Sequence, residues 1–298
     1  MRLFTNGQAA AIAALGVESL IHPLDTLITR FQAPGFSLTY QNTHGSLQPA
    51  LFRGLYNGIA PTLVTTVPAS IAFFSIYEWA KPAFEQALGG EKPNATSRAV
   101  AHAASSAVAE LVACAIINPA EVLKQNAQVA ISTGSDIRLI PVFTILKKCA
   151  RNPRKMWTGY TALLASRLPS TSLTLSLYEN LKGRWAQEIG PSADVLDQVK
   201  RSFCAAGAAG GLVSVMFVPI DVVKTRMRLA GMDYHRKAHP PSLPVRPILI
   251  ARKILTTDGL AGLFRGGALT CVAAALSNAL YLGCYEGLGM YYAQQRPI

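Results

Sequence analysis

Charge is scarce in this sequence. Only 15% of its 298 residues are Asp, Glu, Lys or Arg, while half are hydrophobic. A soluble domain carries about a quarter charged residues, so an ordinary water-soluble domain is excluded. Acids are scarcer than bases, 16 against 28, which leaves a net charge of +12. Cysteine is scarce as well. Cys114, Cys149, Cys204, Cys271 and Cys284 are odd in number and form no C-x-x-C pair. That excludes a disulfide framework, a zinc site or a dithiol redox centre, and reads as reduced thiols packed as small hydrophobes. The chain also lacks a glycine-rich phosphate loop, metal-ligand spacings and a nucleophile–base–acid set. No enzyme, cofactor or metal is expected. The bases are not set in any nucleic-acid-binding module, so nucleic acid is not an expected partner. The opening MRLFTNGQ leaves too little chain before the first apolar run for a separate signal peptide.

Long apolar runs are present in plenty. They cover approximately residues 7–31, 58–86, 98–129, 159–187, 201–229 and 267–292. Each offers about 20 mostly apolar residues, enough to cross a hydrocarbon core of about 30 Å. Glu18, Glu110 and Arg167 interrupt them. An ionisable group inside a span is costly and faces a cavity or a partner. The expected fold is therefore an all-α membrane protein whose helices surround a wet interior. Basic residues crowd the loops at 130–158 and 230–266, while those near 88–97 and 188–200 are short and nearly neutral. The spans thus have a basic side, which the positive-inside bias orients toward the energised compartment.

Three markers recur. A proline followed by an acid and then a base or its substitute ends every odd span: Pro23-x-Asp25, Pro119-x-Glu121-x-x-Lys124 and Pro219-x-Asp221-x-x-Lys224, at spacings of 96 and 100 residues. About 60 residues after each proline comes a tyrosine–glutamate pair: Tyr77-Glu78 with Lys81, Tyr178-Glu179 with Lys182, and Tyr285-Glu286. Between the two lies an aromatic residue with a glycine two positions on, in Phe52-Arg53-Gly54, Trp157-Thr158-Gly159 and Phe264-Arg265-Gly266. The chain is three copies of one unit, with expected limits 1–92, 93–193 and 194–298.

This triple repeat resembles the mitochondrial carrier family over essentially the whole chain. The resemblance implies six tilted helices in pseudo-threefold array around a cavity, and three short matrix-side helices near 46–53, 137–150 and 245–256. It implies a monomeric, multi-pass solute transporter of the inner mitochondrial membrane that works by alternating access. Helices kinked at Pro23, Pro119 and Pro219 would converge, and the acid of one repeat would meet the base of the next. Asp25 would pair with Lys124 and Glu121 with Lys224, braced by Gln32 and Gln128, while Asp221 meets Ile28 where a base is expected. On the other side Glu78 would pair with Lys182 and Glu286 with Lys81. Glu179 meets Gly289 instead of a base. Tyr77, Tyr178 and Tyr285 would brace these links. Gly54, Gly159 and Gly266, with Arg53 and Arg265, would expose backbone N–H groups to cardiolipin headgroups.

Family geometry places the solute among Thr65, Thr66, Ser166, Arg167, Ala273 and Ala274, with Glu18 and Glu110 at comparable depth. One base and two acids suit a zwitterion or a cation. A run of Glu110-Leu-Val-Ala-Cys114 ahead of Pro119-Ala-Glu121-Val-Leu-Lys124-Gln125 is similar to S-adenosylmethionine carriers. That likeness implies exchange of S-adenosylmethionine for S-adenosylhomocysteine. Ser166-Arg167 departs from the order in those carriers, as do Ile117-Asn118 and Asn126. Another small amino-acid-like solute, or a scaffold that transports nothing, remains open.

Overall fold

The computed structural model describes residues 2–42, 44–89, 95–129, 131–133, 136–189, 195–232 and 246–294, with side chains described for residues 15–283 except near those breaks. Six long helices dominate: α1 (Arg2–Gln32), α3 (Ile59–Gly89), α4 (Ala95–Gln128), α6 (Tyr160–Ile189), α7 (Val195–Ala230) and α9 (Gly267–Gln294). Each matches an apolar run of the sequence and exceeds it by a few residues. Pro23, Pro119 and Pro219 all lie inside their helices. Proline there removes a backbone hydrogen bond and bends the helix without ending it.

The helices close into a ring, each packed against its neighbours in chain order, with α9 returning to α1. Small residues set the tightest seams. Ala101, Ser105 and Ala109 are fully buried on α4, and Gly207 and Gly211 of α7 lie against Ala275 of α9. Such residues let helices approach closely where lipid offers no hydrophobic drive between them. Outward-facing side chains are apolar, including Val64, Ile71, Trp79, Leu212 and Met216. Ile59–Ala87, Val100–Gln128 and Val199–Ala230 are each long and apolar enough to cross a membrane, whereas Gly267–Gly283 passes only together with the short helix Pro247–Leu263, from which it is bent by 59°. Helix α6 falls short by composition, because the Ser166–Ser176 hydroxyls with Arg167 dilute its apolar content.

The short elements differ from expectation. The first expected helix, 46–53, is a 3-10 turn at Pro49–Phe52, and the α-helix of that repeat is α2 (Phe36–Tyr40), earlier in the chain. Phe36, Tyr40 and Leu51 bury against one another and hold the two together. The second helix, α5 (Val142–Arg151), begins after Pro141 and not at 137, because an antiparallel hairpin of β1 (Ile131–Thr133) and β2 (Asp136–Arg138) occupies the start. The third, α8 (Pro247–Leu263), runs longer than 245–256, with a break at Gly259, whose φ is 68°. The short elements all connect an odd helix to the following even one, so they sit together at one end of the ring.

Candidate functional site

At the end that carries the short elements, α1, α4 and α7 pack on one another, whereas α3, α6 and α9 share no substantial packing. The ring is therefore closed at that end and spread at the other. Cyclic contacts make the closure nearly threefold. Arg30 donates Nε to the carbonyl of Gln128 at 2.8 Å, Asn126 donates Nδ2 to that of Arg228 at 3.2 Å, and Arg226 donates Nε to that of Gln32 at 3.1 Å. The same position of each repeat thus holds the same carbonyl of the next. Glycines seal the joint. Gly58, Gly159 and Gly266 have φ of 85°, 82° and 77°, a conformation that L side chains rarely adopt. A Cβ on Gly58 would lie 2.8 Å from the Lys124 carbonyl, and one on Gly159 or Gly266 would contact the Lys224 or Ile28 carbonyl.

Gly54 was the expected glycine of the first repeat, but Gly58 is the one that opens an even helix. Tyr56-Asn57-Gly58 carries the same aromatic-x-glycine signal as Phe52-Arg53-Gly54 four residues before it. Gly54 instead sits in the preceding turn near Leu139. Arg53 contributes its carbonyl to Arg30. Arg265 lies over the Phe36 ring at 5.1 Å and donates to Ser37.

Ion pairs line the closed end. Lys124 Nζ reaches Asp25 at 2.9 Å and also Glu18 at 2.6 Å. The expected partner of Glu121 was Lys224, but Glu121 instead accepts from Arg228 Nη1 at 3.0 Å. Arg228 stands where the first two repeats have Gln32 and Gln128, is fully buried, and also donates to Asn118 Oδ1 at 3.0 Å. Lys224 folds back on its own helix and meets Asp221 at 2.5 Å. With Ile28 opposite, Asp221 has no base from α1. That seam is held by Thr225 donating to Gln32 Oε1 at 2.9 Å. Gln128 Nε2 donates to Thr26 Oγ1 at 3.1 Å. Sequence reasoning missed Arg228; the signal available was a base at the position where two repeats place glutamine.

At the spread end the picture differs. Among the described residues Glu78 makes no ion pair with Lys182, and both Glu78 and Glu179 are exposed. Lys182 instead donates to the Tyr178 hydroxyl on its own helix at 3.3 Å. The Tyr77 hydroxyl is 2.8 Å from His102 Nδ1, across α3 and α4. No described acid pairs with Lys81. The side chains of Tyr285 and Glu286 lie outside the described side chains.

Between these ends lie two adjoining cavities of about 470 and 360 Å³. They share Val17, Glu18, Glu121, Ser277 and Asn278 as walls. The upper one is lined by Thr65, Thr66, Phe73, Phe74, Glu110 and Arg167. Arg167 Nε sits 3.2 Å from Glu110 Oε1. Ser166 is not part of it: the side chain is buried and donates to the Leu163 carbonyl of its own helix. Ala273 and Ala274 line only the lower cavity. The α9 contribution to the upper cavity comes one turn later, from Ser277, Asn278 and Tyr281. No cluster of His, Cys, Asp or Glu suited to a metal occurs among the described residues.

A family model described as mitochondrial carrier protein matches residues 1–87, 95–188 and 197–296. The mitochondrial S-adenosylmethionine carrier protein of Mus musculus is 31% identical over 93% of this chain and 91% of its own length. An uncharacterized mitochondrial carrier of Schizosaccharomyces pombe is 29% identical over 92% of this chain and 88% of its own. The putative mitochondrial carrier protein PET8 of Saccharomyces cerevisiae is 26% identical over 97% and 94%.

Proposed function

This chain belongs to the mitochondrial carrier protein family and is a multi-pass protein of the mitochondrial inner membrane; from that premise we propose that it exchanges S-adenosylmethionine for S-adenosylhomocysteine, or carries a closely related zwitterionic or cationic metabolite. The observation that carries this reading is the cavity charge. Three acids, Glu18, Glu110 and Glu121, line the upper cavity with one base, Arg167; Glu121 is held by Arg228, and Glu18 shares Lys124 with Asp25. An α-amino acid group suits the Glu110–Arg167 pair, its ammonium replacing Arg167 at the carboxylate and its carboxylate accepting two parallel N–H groups of the guanidinium. A second positive centre, such as a sulfonium, then falls to Glu18. Polyanions fit poorly, because a single guanidinium balances one negative charge.

The mouse relative, a mitochondrial S-adenosylmethionine carrier protein, supports the same assignment. Ser166, on the far side of the wall, takes no part. Transport proceeds by alternating access. The floor of Lys124–Asp25, Lys124–Glu18 and Arg228–Glu121 closes the matrix side while the cavity opens to the intermembrane space. Glu78, Lys81, Lys182, Glu286 and the tyrosines beside them close the opposite mouth in the alternate state. The helix-start glycines and Arg265 present a headgroup site for cardiolipin, with Gly58 taking the place of Gly54. The carrier acts as a monomer, since one chain completes the ring.

The test is counter-exchange in liposomes. Labelled S-adenosylmethionine is offered to vesicles loaded with S-adenosylhomocysteine. Uptake that Glu110→Gln and Arg167→Ala reduce by at least about tenfold, the worth of one charged hydrogen bond of about 1.5 kcal/mol, supports the assignment. Uptake of another amino-acid-like solute in its place overturns the substrate and leaves the carrier. Absence of any solute flux marks a scaffold that transports nothing.

A further inference from the structure

The upper cavity has an aromatic wall as well as a charged one. Phe73 and Phe74 of α3 and Tyr281 of α9 line it together with Glu110 and Arg167. Repeat equivalence sets their height. Phe73, Thr174 and Tyr281 each stand four residues before the tyrosine of a tyrosine–glutamate pair. The aromatic residues of the first and third repeats therefore share one level of the cavity, and the second repeat contributes none there.

The α3 side chains are held in place. Phe73 lies parallel to Tyr77, with an interplanar angle of 1° and centroids 6.3 Å apart, and stands edge-on to Phe74 at 5.4 Å and 90°. The Tyr77 hydroxyl is tied to His102 Nδ1 at 2.8 Å. Parallel and edge-on pairs are the arrangements that aromatic quadrupoles favour, so this wall is set before a solute arrives. Phe74 is nonetheless 44% exposed and Tyr281 37%. Side chains that served only to pack helices together would be covered by their neighbours. An apolar face left open to a wet cavity gains when another apolar surface covers it. Beside this wall Ser70 donates its hydroxyl to the Thr66 carbonyl at 2.8 Å. The serine oxygen keeps lone pairs, so it can accept from an amino group on the edge of a covering molecule.

We propose that Phe73, Phe74 and Tyr281 form a stacking site for a planar nitrogen heterocycle, the base end of a nucleoside-like solute whose amino-acid end lies at Glu110 and Arg167. The placement of that second end rests on the function proposed above. Stacking on aromatic side chains tolerates any base, because every base has a π face. The site therefore separates nucleoside-bearing solutes from plain amino acids, and Ser70 favours a base with an exocyclic amino group. The cavity of about 470 Å³ lies within the range of about 300–1,000 Å³ of pockets that enclose small molecules.

Three probes divide the solute. S-adenosylmethionine carries both ends. S-methylmethionine keeps the amino acid and the sulfonium without the base, and methylthioadenosine keeps the base without the amino acid. Each is titrated against the purified full chain, and its half-saturating concentration is read from the shift of the thermal melt. Phe73→Leu and Tyr281→Leu keep an apolar side chain and lose the aromatic face. In each, the half-saturating concentration of both base-carrying probes is expected to rise by at least about fivefold, the low end for a base stacked on one aromatic side chain. That of S-methylmethionine is expected to stay where it is, whereas a general loosening of the helices would move all three. Tyr281→Phe is expected to behave as the native chain.

An equal loss of all three probes in the leucine variants, or base-carrying probes that bind them as they bind the native chain, overturns the stacking site. So does a native chain that holds S-methylmethionine as tightly as S-adenosylmethionine, or one that neither base-carrying probe saturates. A native chain that binds methylthioadenosine but not S-methylmethionine supports the stacking site and overturns the amino-acid end instead.

Discussion

Arg228 replaces a glutamine of the other repeats, and the replacement changes the electrostatics of the whole closed end. Without it, Glu121 would look to Lys224, which Asp221 already holds. Breaking a buried ion pair from one side costs about 3–5 kcal/mol, because a charge is left without a partner. Arg228→Gln, which restores the residue of the first two repeats, is therefore expected to lower the unfolding temperature of the purified protein by several degrees. Adding Glu121→Gln should recover part of the loss, since the stranded charge is removed with its partner. If Arg228→Gln unfolds with the native chain in a thiol-dye melt, the Arg228–Glu121 link contributes nothing and the assignment fails.

Asp258 raises a different residue-scale question, because it lies on α8, outside the spans. Burial pushes its carboxyl upward, but the hydrogen bond and charge of Arg226, 2.7 Å away, and the charge of Arg265 outweigh that and hold it below the ordinary value of 3.8. A depressed folded value contributes stability that is present above the unfolded value and lost as pH falls through the folded one. The native chain should accordingly melt above Asp258→Asn at neutral pH, and the gap should close below the ordinary aspartate range. Equal melting temperatures at neutral pH would show that the pair is a solvated surface contact of negligible worth.

At the scale of elements, what joins the repeats is the glycine that starts each even helix. Gly58 needs a positive φ and has the Lys124 carbonyl where a side chain would begin. The strain of a left-handed conformation in a non-glycine residue alone costs about 1–2 kcal/mol, and the clash adds to it. Gly16, inside α1, has nothing within 4 Å of its missing Cβ. There alanine is expected to be neutral or to stabilise by about 0.5–1 kcal/mol. Comparing thermal melts of Gly58→Ala and Gly16→Ala separates the two: a strong loss in the first with none in the second. Equal behaviour would mean that the α3 start does not dock on α4 as described.

For the whole molecule, one end closed and one end spread predicts asymmetric access. Phe74 is exposed and lines the upper cavity, whereas Thr225 is buried in the closed floor. In a background with Cys204, Cys271 and Cys284 changed to serine, Phe74→Cys should react with an impermeant thiol reagent added from the intermembrane-space side. Thr225→Cys should stay protected until the carrier is trapped in its alternate state. Rapid labelling of Thr225→Cys from the same side without a solute would contradict a sealed floor.

Much of this architecture was legible in the residues. The scarcity of charge and the six apolar runs dictate long helices in a bilayer, because a backbone in lipid must satisfy its own hydrogen bonds. The triple recurrence of proline, acid and base dictates three equivalent bends. Positions in helices of known period could therefore be placed within a few residues. The short connecting elements could not, since Pro49 and Pro141 fix only where a helix cannot begin, and the hairpin before α5 depends on pairing that no local pattern announces. Partner choice was less legible still. Lys224 lies three residues from Asp221 on its own helix and equally carries the right sign for Glu121, and only the rotation of α7 against α4 selects Arg228 instead. The same holds for Ser166, which faces its own helix backbone. Sequence alone determined what must be buried in lipid and how often the unit repeats, because both follow from transfer energy and periodicity. Which charges meet at the axis was decided by tertiary packing, because a pair across three helices depends on angles and distances that no single segment encodes.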